Sequence, residues 1–308
     1  MILDAILVII CLSALIAGSI TDLQRREVPN WINYGLLITV LTIRLLYSVF
    51  TADISPILFG IYGLAIGYAV AALMYYSGQW GGGDAKMLMG LGAAFGSYIP
   101  PFFQPDLAQD ILMIFTQNAF LLESNMLFIP ILVLNIFLFG ALYGLSWMVV
   151  LSVKHFLKVA YMYKTLRQKY IKIVRISYGS LLLVVLGIFF AQTSFGFLFI
   201  VIPVAFFLLT ILSLLIKSIE KVCMIKDMNV SELTEGEWIV KDVVVKGKRI
   251  CGPKDLGITN AQIAQLKKLH VKSVPVKIGI PFIPAFLMGF IFTLVVGNPI
   301  AILLVVLL

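Results

Sequence analysis

Two aspartates, Asp22 and Asp84, each stand at the end of a long apolar stretch. A pair of carboxylates brought together is a device for activating water. Like charges in one site cannot both ionise cheaply. One carboxyl keeps its proton and serves as acid, while the other stays ionised and serves as base toward a water. That division drives water onto a peptide carbonyl and protonates the leaving nitrogen. The pair then titrates as a unit. Asp84 is reached through Gly81, Gly82 and Gly83, and Lys86 follows it. An ionisable residue at the mouth of a membrane helix is a functional-site candidate. Glycines, lacking Cβ, admit backbone conformations closed to other residues. Here they would let a substrate backbone approach and let the loop turn Asp84 toward Asp22.

Each of these residues also has a plainer reading. Asp84 suits the cap of a helix beginning at Ala85, and Asp22 suits a pairing with Arg25 or Arg26 just past a helix. Lys86 either orients a substrate carbonyl and supports the Asp84 anion, or anchors its helix at the positive side of the membrane. Pro29 and Asn30 read as the stop of one loop and the cap of the next helix. A phosphate cradle is a poor fit, because that loop needs GxxxxGK[ST] after a soluble strand.

The elements that must position these acids are membrane helices. Hydrophobic residues make up 61% of the 308 positions and the mean hydropathy is +1.05, against about 45–50% apolar in soluble domains. The lipid bilayer is therefore the first partner of the chain. The stretch Leu3 to Ile20 carries Asp4, has no basic leading segment and no small-residue cleavage site, so it reads as a retained helix and not a signal peptide. A crossing needs about 20 apolar residues. The candidates are 3–20, 31–50, 55–76, 85–100, 126–153, 177–193, 196–216 and 278–297. The fold class predicted is an all-α polytopic bundle of six to eight transmembrane helices with a small α+β module near the C-terminus. Its parts are a bundle at 1–216, a module at 217–277 and a C-terminal membrane segment at 278–308, whose last residues, Ile300 to Leu308, are too short to cross alone. Gly63/Gly67 and Gly92/Gly96 have the spacing of close helix packing, and Arg44, near the outer end of its helix, reads as snorkelling.

Charge fixes the expected orientation. With the N-terminus outside, the segments 21–30, 77–84 with Lys86, 154–176 and 217–277 lie inside and hold every Lys and Arg except Arg44. The outer segments hold Asp4, Asp53, Asp106, Asp110 and Glu123. The positive-inside rule reads that asymmetry one way, so Asp22 and Asp84 are expected together at the cytoplasmic face. The net charge of +8 follows from the same bias, and no nucleic-acid partner is called for. The basic, Tyr-rich run from Lys154 to Arg175 suits anionic headgroups. Residues 101–125 read as an outer amphipathic helix in the interface plane. Cys11, Cys223 and Cys251 show no paired spacing, and only His155 and His270 occur, so neither a metal site nor any other cofactor is expected. In 217–277, Trp238 to Val245 reads as a strand, Arg249 to Cys251 as its return, and Thr259 with Gln262 as a capping box opening a helix.

The stretch from Gly81 to Ala93 resembles the GxGD region of type IV prepilin and preflagellin peptidases, which are membrane aspartyl proteases. The stretch from Thr21 to Trp31, with Asp22 ahead of Val28-Pro29-Asn30, is similar to their first catalytic loop. The resemblance covers about residues 1–216. It implies a helical membrane bundle, Asp22 and Asp84 as the catalytic pair, and a substrate with a class III-type leader ahead of a hydrophobic helix, cut at the cytoplasmic side. Bacterial members often carry a four-cysteine zinc loop and methylate the new N-terminus. This chain has no such loop, which is similar to the archaeal enzymes, as is the polar module followed by Gly279 to Phe286. Presenilin-type proteases match less well: Asp22 is not in a Tyr-Asp pair, and Pro284-Ala285-Phe286 differs from their Pro-Ala-Leu. Other classes the residues leave open are an intramembrane protease of broader specificity, a transporter using the acids as a proton relay, and a non-catalytic assembly platform.

Overall fold

The computed structural model describes residues 2–95, 128–190, 194–245 and 247–296. The expected outer amphipathic helix at 101–125 and the tail beyond Val296 lie outside the described residues. In chain order the elements are α1 (Ile2–Arg25), α2 (Asn30–Thr51), α3 (Ser55–Tyr76), α4 (Gly82–Phe95), α5 (Phe128–Lys154), α6 (Phe156–Lys169), α7 (Ile171–Ser180), α8 (Leu182–Phe189) and α9 (Ser194–Ile219). A π-helical turn, Glu220–Met224, leads into β1 (Ile225–Asn229), β2 (Trp238–Ile239), β3 (Val243–Val245) and β4 (Lys248–Cys251), then α10 (Asn260–Lys268), β5 (Ser273–Lys277) and α11 (Ile283–Val295). Among the described residues six stretches are long and apolar enough to cross a bilayer: Ile2–Arg25, Asn30–Thr51, Ser55–Tyr76, Phe128–Lys154, Ile171–Phe189 and Gly196–Met224. The chain is thus a helical multi-pass membrane protein with a small strand-bearing module, as the composition predicts. Two of the expected spans, α4 and α11, are described as helix over 14 and 13 residues. Both are rich in buried side chains, including Leu88, Leu91, Phe286 and Phe290.

The chain divides into two compact units, residues 1–144 with 279–308, and residues 145–278. In the first unit α3 and α4 pack through glycine. A Cβ added at Gly92 would lie 2.5 Å from the Gly63 carbonyl oxygen and 3.2 Å from Gly67 Cα. The predicted small-residue seam is therefore present, apart from Gly96, which lies outside the described residues. Gly92→Ala must push two backbones apart, and overpacking of this kind costs about 1–3 kcal/mol. Thermal unfolding in detergent should show a lower Tm for Gly92→Ala, while Gly35→Ala, where nothing lies within 4 Å of the new Cβ, should unfold no earlier than the parent.

Arg44 departs from expectation. It does not snorkel but is buried, with 4% of its surface exposed. Its Nη1 donates to the Pro56 carbonyl at 2.7 Å and its Nη2 to the Ala94 carbonyl at 2.5 Å. Asp4 supplies the opposite charge. The reason is that these backbone carbonyls lie in an apolar surround that offers them no water. Gly60 leaves the room, since a Cβ there would stand 2.6 Å from Arg44 Cδ.

In the second unit the expected inner loop at 154–176 is helical, formed by α6 and the start of α7. Leu166, Val174 and Leu214 form its small core. The module beyond Met224 holds an antiparallel sheet in the order β1-β5-β2 and a separate β3-β4 hairpin. The single strand expected over 238–245 is split: Ile239 pairs with Val276 of β5, whereas Val244 pairs with Arg249. The return of 249–251 on 243–245 is as predicted. So is the capping box, in which Thr259 Oγ1 accepts from the Gln262 N–H and Gln262 Oε1 accepts from the Thr259 N–H at 2.9 Å. Strands β1 and β5 were not anticipated. Ile239, Cys251, Leu266 and Val276 are buried together, and burial pushes the Cys251 thiol above its usual range, with Asp255 adding to the effect. All three cysteines are free.

Candidate active site

Asp22 sits inside α1, in its last turn, and not beyond the helix. The turn closes where Arg26, at φ 57°, donates its N–H to the Asp22 carbonyl at 2.8 Å. Leu15, Gly18, Ser19 and Asp22 form the buried face of this end of α1. The Asp22 carboxylate is 6% exposed, and its Oδ2 accepts the backbone N–H of Ile283 at 2.9 Å. The backbone of Phe282 adds a second hydrogen bond, and Arg26 adds a favourable charge. The expected pairing with Arg25 or Arg26 is therefore replaced by the start of α11, across 261 residues of sequence.

Asp84 is the third residue of α4, which begins at Gly82 and not at Ala85. Its Oδ2 accepts the Gly81 N–H at 3.1 Å. This is the reach-back half of a capping box, in which the third helical residue satisfies the amide of the cap. The glycines before it serve differently from expectation. Glycines with positive φ among the described residues are Gly78, Gly236, Gly247 and Gly257, so Gly81, Gly82 and Gly83 use no left-handed backbone, and the latter two are helical. What the site needs at Gly83 is thinness: a Cβ there would lie 3.2 Å from Val28 Cβ. A Cβ at Gly81 would press on Asp84 Oδ2 at 3.4 Å, and one at Gly82 would meet only a ring carbon of Tyr75 at 3.8 Å. Asp84 itself thus meets the amide at the threshold of this helix.

Asp22 and Asp84 thus come from different helices of one unit, and each lies within range of the other's charge. Tyr143 of α5 is also within range of Asp22. Lys86 is directed elsewhere. Its Nζ donates to Asn30 Oδ1 at 2.8 Å and stands 5.4 Å from the Tyr34 ring centroid, tying α4 to α2. Pro29, not Asn30, occupies the cap of α2; Asn30 is its first helical residue, and its side-chain oxygen accepts from Lys86.

Several neighbours had no signal in the sequence. Trp80, 4% exposed, stacks at centroid distances of 5.7 Å on Phe137, 6.1 Å on Phe282 and 5.1 Å on Phe286, and so fixes the residue just before Gly81. Ser19, one turn before Asp22, and Asn33 on α2 are buried, and Ser19 Oγ and both amide atoms of Asn33 have no hydrogen-bond partner among the described residues. Among the described residues no three His, Cys, Asp or Glu side chains converge on a metal position. What remains chemically is a pair of carboxylates at two helix ends, Asp22 buried and Asp84 half-buried, each held by backbone N–H groups.

Residues 9–145 match the type IV leader peptidase family. This stretch holds both aspartates and is shorter than the 1–216 expected from the motifs. Over 92 residues the chain is 36% identical to the preflagellin peptidase of Methanococcus voltae, covering 30% of this chain and 39% of that protein. Over 126 residues it is 31% identical to the preflagellin peptidase of Methanococcus maripaludis, covering 41% of this chain and 48% of that protein. The chain therefore spans less than half the length of these curated relatives. No solved structure matches it significantly. The leader-peptidase stretch ends in α5, so α11 and the strand-bearing module fall outside it.

Proposed function

We propose that this chain is a membrane aspartyl endopeptidase that removes the leader from archaellin-like or type IV pilin-like precursors. Asp22 and Asp84 share one proton, and the ionised member draws a proton from water as the other protonates the leaving nitrogen. The observation that supports the reading is that Asp22 of α1, buried, and Asp84 of α4, half-buried, lie within range of each other's charge inside the stretch that matches the leader-peptidase family. The Lys and Arg distribution supports an N-terminus outside and a site at the cytoplasmic face. There a leader would arrive from the cytoplasm while the precursor's apolar helix lies laterally in the bilayer. Such a dyad requires no metal or cofactor.

The test is cleavage of a purified precursor by the purified protein in detergent or vesicles, with the products mapped by mass spectrometry. One cut at the end of the leader, ahead of the apolar helix, is expected. A cut inside the apolar helix would point instead to an intramembrane protease of broader specificity. No cut in either archaellin-type or pilin-type precursors would overturn the proposal.

A further inference from the structure

The helix that touches Asp22 is not part of the leader-peptidase stretch. It follows the strand-bearing module, yet its first turn reaches the site. The amides of that turn can be accounted for one by one. Helix starts leave their first N–H groups without intrahelical partners. In α11 the first helical residue, Ile283, gives its N–H to Asp22 at 2.9 Å. The second, Pro284, has none. The third, Ala285, donates back to the Phe282 carbonyl at 3.0 Å. Asp22 thus takes the free Ile283 amide of this first turn, and the Phe282 backbone just before it adds a second hydrogen bond. The positive end of the helix dipole faces the same carboxylate.

The rest of α11 is locked so that this amide is held in place. A Cβ at Gly289 would lie 2.8 Å from the Ile136 amide nitrogen, so α11 and α5 touch backbone to backbone. Asn135 Nδ2 donates to Thr293 Oγ1 at 2.9 Å in the same interface. At the other end the Phe282 ring fills the space left by Gly140, where a Cβ would stand 2.6 Å away, and leans on Trp80 beside Gly81.

We propose that the first turn of α11 is a third component of the peptidase site: the Ile283 amide orients the Asp22 carboxylate for its work on water, and Phe282 with Trp80 fixes the approach to Asp84. Ile283 is a positioning residue, acting through Asp22. The proposal rests on the peptidase reading given above, and it makes the chain at 279–296 indispensable to a site whose acids both lie within residues 9–145.

The experiment exchanges the Ile283 amide for an ester by incorporating the α-hydroxy acid analogue, which removes one N–H and keeps the side chain. A hydrogen bond to a charged group is worth enough that kcat should fall about ten- to a hundredfold, while KM stays near that of the parent, because precursor contacts are untouched. Ile283→Val, which keeps the amide, should lose far less kcat than the ester protein. Ile283→Pro removes the same N–H at a helix position suited to proline; it is the second variant and should lose kcat well beyond Ile283→Ala, its packing control. An ester protein with parent kcat, or an Ile283→Ala loss equal to that of Ile283→Pro, overturns the proposal. Asp22→Asn is assayed beside them. If it is inactive while the ester protein is normal, the helix role fails and the dyad stands. If Asp22→Asn keeps full activity, the peptidase reading fails first and takes this inference with it.

Discussion

Asp22→Asn and Asp84→Asn should each lower leader cleavage by about a thousandfold or more, the scale on which acid–base partners act. The double variant should be no slower than the slower single one, because residues that act as a unit lose their effect together. The folded protein should persist in all three. Asparagine keeps an oxygen able to accept the Ile283 N–H at position 22, or the Gly81 N–H at position 84, and Asn at either position leaves the size of the side chain nearly unchanged. Equal Tm values with lost cleavage therefore separate chemistry from folding. The pH profile of the parent should be bell-shaped, since activity needs one proton on the pair. The rate falls at low pH, where both carboxyls are protonated and no base remains. It falls again at high pH, where both are ionised and no acid remains. Full activity of either single variant would sink the dyad.

The two acids stand out in the sequence because each carries a local motif, and the Lys and Arg distribution leads to the expectation that they share one face. What surrounds them was less so. The contact of Asp22 with Ile283 joins residues far apart in the chain, and its donor is a backbone amide that any residue but proline supplies; no pattern of residue types announces it. Gly81 to Gly83 announced themselves correctly as unusual and were misread in kind. At Gly83 the value lies in the close approach of Val28, which depends on the packing of the α1–α2 turn against α4, and none of the three uses a left-handed backbone. The strand over 238–245 was read as one run because its residues are uniformly β-prone, whereas pairing partners divided it between β5 and β4. The capping box at Thr259 was read correctly because all of its parts lie within four residues.

Arg44 shows the same limit and carries the largest expected effect on stability. From sequence, a lone arginine near a helix end is a snorkelling residue, and its loss should be nearly silent. In the structure it is the buried clamp between the Pro56 and Ala94 carbonyls, with Asp4 as counter-charge. Arg44→Ala should therefore destabilise the first unit by about 3–5 kcal/mol, the range for breaking a buried ionic arrangement on one side, and should lower Tm sharply in detergent. Arg44→Lys should recover only part of the loss, because an ammonium cannot span two carbonyls with the planar fork of a guanidinium. Removing both charges should be gentler than removing one. Asp4→Asn combined with Arg44→Met should unfold later than Arg44→Met alone, since a buried acid without its partner is the costlier state. An Arg44→Ala protein with the parent Tm would return Arg44 to the membrane surface, and the end of α4 would then need another source of hydrogen bonds for Ala94.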